Sequence, residues 1–95
     1  MSVYVVAQLR FTDETMYRRY QARFAAVFAG SGGRLLVADE APIVLEGEWA
    51  RDKLVIMEFG TPELARGFFE SPAYQSISED RRAGAETIAL LAQGL

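Results

Sequence analysis

The sequence predicts an α+β domain made of two strand–helix–strand halves. Three observations carry that reading: strand-like stretches at both ends of the chain, the first of them alternating; helical periodicity in the first half and helix-start signals in the second; and a strand pair joining the halves in the middle. Each half is then a split βαβ unit. Together they give a four-stranded antiparallel sheet with helices on one face, the ferredoxin-like arrangement. Ninety-five residues suffice for one domain and no more, so residues 1–95 are expected to fold as a single unit.

Residues 3–11 alternate, with Val3, Val5, Ala7, Leu9 and Phe11 on one face and Tyr4, Val6, Gln8 and Arg10 on the other. In "TDET", Thr12 or Asp13 can accept from the free amides that begin a helix, and Asp13 and Glu14 suit its positive end. Tyr17, Tyr20, Phe24, Val27 and Phe28 form the apolar stripe of that helix, with Arg18, Arg19 and Arg23 mostly on another side. "GSGG" is expected to close it in left-handed geometry.

"RLLVA" (34–38) reads as the second strand, interrupted at "DEAP" by a bulge or short loop because Pro42 has no amide to donate. "IVLEGEW" (43–49) resumes the alternation, "ARD" turns the chain, and "KLVIMEF" (53–59) returns as its antiparallel partner. Thr61 and Pro62 begin a second helix. The Ser71-Pro72 step breaks it, and Ser71 can cap a new helix running to about Arg82. A last strand occupies about 86–92.

The strands carry apolar residues on both faces, and helices can cover only one. An apolar sheet face left in water usually marks an interface, so the expected assembly is a two-fold homodimer with its sheets packed face to face.

Composition narrows the function. The net charge of −3 argues against nucleic acid as the main partner, since that requires a basic stripe. With neither cysteine nor histidine, disulfides, thiol chemistry and the usual zinc, iron and haem ligands are all missing. No cofactor and no metal are therefore expected. No apolar run approaches the roughly 20 residues that span a bilayer, and the N-terminus lacks the pattern of a signal peptide, so a cytoplasmic, soluble protein without membrane contact is expected.

Several segments in this order and spacing are distinctive: the Tyr17–Tyr20 pair, "GGRLLV" (32–37), "LEGEW" (45–49), "VIMEF" (55–59), "SPAYQ" (71–75) with Arg81, and Gly94. In these the chain resembles the domain of unknown function 1330 family, within the dimeric α+β barrel superfamily. The resemblance implies a dimer whose two sheets form a barrel. It implies no reaction, because the family has none assigned. The wider superfamily includes cofactor-independent monooxygenases, muconolactone isomerases and haem-binding dismutases, and a shared fold does not transfer activity. Two loop details depart from the family pattern: Asp39-Glu40 stands in place of a Gly-Gly turn, and "FGT" (59–61) in place of "FPS".

Six residues are candidate ligand contacts, and each has a structural alternative. Tyr17 and Tyr20 either pack in the core with hydroxyls at its rim or donate to a ligand between helix and sheet. Trp49 provides buried area and an indole N–H that needs a partner. Glu46 is solvated, forms an ion pair with an arginine, or acts as a base. Tyr74 and Arg81 lie two helical turns apart on one face, where they could hold a carboxylate or enolate, or anchor the helix to Glu46. Three functions follow: binding of a small hydrophobic or anionic ligand between helices and sheet, cofactor-independent isomerisation or monooxygenation of a small aromatic or lactone, and a structural dimer without a small-molecule role. The absence of a nucleophile motif weighs against the enzyme.

Overall fold

The alternation of Val3–Phe11 produces β1, a central strand whose Val3, Val5, Ala7 and Leu9 are all buried while the intervening residues are not. A computed structural model describes all residues from Met1 to Leu95. After β1 come α1 (Glu14–Phe28), β2 (Arg34–Asp39), β3 (Lys53–Phe59), α2 (Pro62–Phe69), α3 (Pro72–Gly84) and β4 (Ala85–Gln93). The sheet is antiparallel throughout, in the order β2-β3-β1-β4. This is the expected ferredoxin-like order, with the helices on the face of β1 that carries Val3 and Val5.

The helix starts follow the local chemistry. The Asp13 carboxylate accepts from the Met16 amide, Thr61 Oγ1 from Leu64, and Ser71 Oγ from Tyr74. Ser71 Oγ also donates to the Phe68 carbonyl at 2.7 Å, so one hydroxyl both ends α2 and begins α3. The end of α1 differs from expectation. Its cap, Ala29, is right-handed, and the first positive φ comes later, at Gly32 (79°).

The larger correction concerns residues 43–49, which form no strand. β2 ends at Asp39, and Glu40–Asp52 is a loop without regular structure. The reason lies in β3. A strand has two hydrogen-bonding edges, and β3 gives one to β1, from Leu9↔Lys53 to Val3↔Phe59, and the other to β2, from Arg34↔Glu58 to Asp39↔Leu54. β3 therefore has no edge left to pair with 43–49. The irregularity expected at "DEAP" lies instead between Leu35 and Val37, where the β2–β3 register shifts.

Between helices and sheet lies an aromatic cluster. Phe68 contacts the Phe24 and Phe28 rings edge-on and the Phe59 and Tyr74 rings at a tilt, with centroids 4.7 to 6.1 Å apart. Along the α1–α3 seam the helices approach so closely that a side chain on Gly84 would lie 2.4 Å from the Tyr17 amide nitrogen. The Gly84 carbonyl accepts from both Thr12 and Asp13, tying the end of α3 to the start of α1.

Candidate functional site

Register creates a cavity on the helix side of the sheet. Cross-strand pairing lines up Ala38, Val55, Ala7 and Ala89 in one row across all four strands. Small side chains leave space beneath α1 and α3, and a cavity of about 430 Å³ results. Tyr17, Tyr20 and Phe24 of α1 and Tyr74 of α3 are among the groups that wall it.

The next row supplies polarity. Lys53 of β3 and Thr87 of β4 flank Leu9 on β1, and both line the cavity. Lys53 is 4% exposed, and burial lowers its pKa, with Glu40 acting in the opposite sense. Its Nζ lies 3.6 Å from Glu40 Oε2 and 5.1 Å from the Tyr17 ring centroid. Glu40 is committed elsewhere: Arg18 grips it with two hydrogen bonds of 2.6 and 2.7 Å. These bonds hold the Glu40 carboxyl down at about 2. Lys53 therefore has only the longer contact to that carboxylate.

The structure places the six sequence candidates in two groups. Tyr17, Tyr20, Tyr74 and Arg81 come together around the cavity. The Tyr20 and Tyr74 hydroxyls lie 3.1 Å apart, which binds α1 to α3. Burial pushes the Tyr17 hydroxyl up to about 12 and raises that of Tyr20 further, with Tyr74 adding to the second shift. Both are protonated donors at neutral pH. Glu46 and Trp49 lie apart on the Glu40–Asp52 loop. Glu46 is exposed and forms no ion pair with Arg81 within the chain.

Two buried side-chain polar atoms have no hydrogen-bond partner, Arg81 Nε and Thr87 Oγ1, and both belong to residues lining this cavity. Orphaned buried polar groups are uncommon because each costs desolvation energy. Both share one largely apolar cavity with Lys53, and a guanidinium, an ammonium and a hydroxyl lining the same space suit an anion. Lys53, Thr87 and Glu40 escaped the sequence reading. Lys53 did leave a signal, since it falls in the same strand phase as Val55, Met57 and Phe59, where an apolar residue belongs.

A four-stranded antiparallel sheet under three helices, with a cavity between the layers, defines a small α+β protein of ferredoxin-like fold. The chain belongs to the domain of unknown function family DUF1330, whose model matches residues 2–95. No functionally curated protein matches it in sequence. Among solved structures it is similar to a protein of unknown function from Rhodopseudomonas palustris, with TM-score 0.83 and 16% identity over 99% of this chain and 82% of that one. It is also similar to SnoaB, a cofactor-independent oxygenase from Streptomyces nogalater, with TM-score 0.67 and 18% identity over 99% and 93% of the two chains. A dimeric protein of unknown function and ferredoxin-like fold from Bacteroides fragilis gives TM-score 0.69 and 10% identity over 98% and 96%. At these identities the likeness is one of fold. No helix is long and apolar enough to cross a membrane.

Proposed function

We propose that the protein binds a small, mainly apolar anion, such as an aromatic or cyclic carboxylate, phenolate or enolate, in the cavity between helices and sheet. The carrying observation is the pair of orphaned buried atoms, Arg81 Nε and Thr87 Oγ1, at a cavity most of whose lining is hydrophobic. Arg81 and Lys53 supply charge, Thr87 and Tyr17 supply hydroxyls, and the alanine row accommodates a flat ring. The volume lies in the lower part of the range for small-molecule sites. A filled core would have favoured the purely structural role.

The same reading includes a homodimer through the outer sheet face. Val37, Ile56, Val6 and Leu90 pair across all four strands as an apolar row on the side away from the helices. The dimeric relative from Bacteroides fragilis is consistent with that assembly.

Native mass spectrometry of the purified protein should find a retained small acid. In solution, 1-naphthoate should raise the melting temperature, while 1-naphthamide, the same size but neutral, should not. Arg81→Gln should abolish the naphthoate effect with little change in the unliganded melting temperature. Equal stabilisation by acid and amide would refute an anion site.

Chemistry on the bound anion is the second reading, and Lys53 favours it. A buried amine with a lowered pKa can move a proton, which a cofactor-independent isomerase or oxygenase would need. If the retained molecule is turned over, Lys53→Met should eliminate turnover while Arg81→Gln weakens binding.

A further inference from the structure

The Glu40–Asp52 loop has the side-chain pattern of a strand without a strand's partner. Ile43 is 87% exposed and Leu45 96%, so their side chains are almost entirely in water. The backbone from Ile43 to Ala50 makes no hydrogen bond to other backbone groups of the chain. Yet both feet of the loop are fixed. Glu40 is held by Arg18 at 2.6 and 2.7 Å. The Asp52 amide donates to the Leu9 carbonyl at 2.7 Å, and its carboxylate accepts from the Phe11 amide at 2.8 Å. Between those feet the chain turns at Gly47, whose φ of 88° favours glycine. The result is an anchored arm with an apolar side aimed at nothing in its own chain.

The outer sheet face has the complementary need. Its apolar row, Val37–Ile56–Val6–Leu90, lies between a polar rim of Arg34, Glu58 and Tyr4 at one end and the Arg10–Glu86 ion pair at the other. An apolar centre within a polar rim is the anatomy of a protein interface. Size then becomes decisive. From strand spacing and rise, the face measures only about 500 Å², against the ~800 Å² per partner of a standard stable interface. Sheet against sheet alone falls short, and the arm carries the further exposed apolar side chains Ile43, Val44 and Leu45. Half its length, about six residues, reaches about 20 Å, enough to cross a neighbouring four-stranded sheet.

We infer that the arm Pro42–Trp49 of each copy docks against the outer sheet face of a second copy of this chain, with Ile43 and Leu45 as its apolar anchors. Two-fold symmetry makes the exchange reciprocal, each copy offering an arm and receiving one. The inference rests on the sheet-face dimer proposed above and adds a segment that sheet packing alone would leave in water.

Sedimentation equilibrium on the full chain separates the two ideas. Ile43→Ser with Leu45→Ser changes side chains that are exposed in the single chain, so the fold is retained, and the dimer dissociation constant should rise at least tenfold. Val6→Asp should abolish the dimer by acting on the sheet face itself. An unchanged dissociation constant for the arm variant, in a dimer that Val6→Asp still disrupts, would overturn the arm and leave the sheet-face dimer standing. A wild-type monomer, or a dimer indifferent to Val6→Asp, would overturn both. A second readout uses the natural absence of cysteine. The thiol introduced by Leu45→Cys should react with a maleimide at least tenfold more slowly in the dimer than in the Val6→Asp background. Equal rates would exclude docking of the arm.

Discussion

Thr87 and Glu40 show how much a single side chain can reveal here. Thr87 Oγ1 is buried without a partner, and such a group costs about 1–3 kcal/mol in desolvation. Thr87→Val keeps the shape and removes the hydroxyl, so the unliganded protein should become about 1 kcal/mol more stable to urea. The same change should weaken naphthoate binding. A stability gain without a binding loss would make Thr87 a packing residue. Glu40 gives a pH signature. Its folded-state carboxyl sits at about 2, below the ordinary 4.5, chiefly because of the Arg18 hydrogen bonds. The stabilisation is present in full above pH 4.5 and is lost as pH falls through about 2. The pair is partly exposed and screened, so the effect is small. The melting-temperature gap between wild type and Glu40→Gln should therefore close between those two pH values and stay constant above them.

Among elements, α1 and α3 are the best determined by their own sequences, and their contact can be tested directly. A methyl group at Gly84 would collide with the backbone of Tyr17 and Asp13, neither of which can rotate away. Gly84→Ala should cost about 1–3 kcal/mol through overpacking. It should also loosen the Tyr20–Tyr74 contact, which urea titration and near-ultraviolet circular dichroism would register. The segment 43–49 shows the opposite case. Its alternation satisfies every local rule for a strand, but pairing with β3 as the sequence suggests requires a free edge on that strand, and both edges of β3 are taken. Alternation records which side chains want burial. It does not record which backbone will be available to pair.

For the whole molecule, association and composition make the predictions. Val6 is only partly buried in the single chain, so Val6→Asp should leave a folded protomer and disrupt the proposed sheet-face dimer by placing an unpaired charge in its interface. Sedimentation of wild type and variant at micromolar concentration checks this. Elemental analysis should find no stoichiometric zinc or iron and the visible spectrum no haem band, because the chain contains no histidine or cysteine to ligate them. One metal ion per chain would contradict that expectation.

Much of the fold was legible in the linear sequence. The caps at Asp13, Thr61 and Ser71, the break at Ser71-Pro72 and the two-faced alternation of β1 all depend on neighbours within a few residues. The Tyr74–Arg81 face was legible for the same reason, since helical spacing alone puts the pair together. The candidate site as a whole was not. Ala38, Val55, Ala7 and Ala89 form a cavity floor only because long-range pairing sets them in one row, and Lys53 and Thr87 become neighbours of the cavity through the row beside it. Arg81 could be seen as a cation in the sequence, but only its packed surroundings decide that its Nε lacks a partner. Sheet register and burial are properties of contacts between distant segments, so local propensity determined most of the elements, while the tertiary structure alone decided that 43–49 stays unpaired, where the elements leave a space and what lines it.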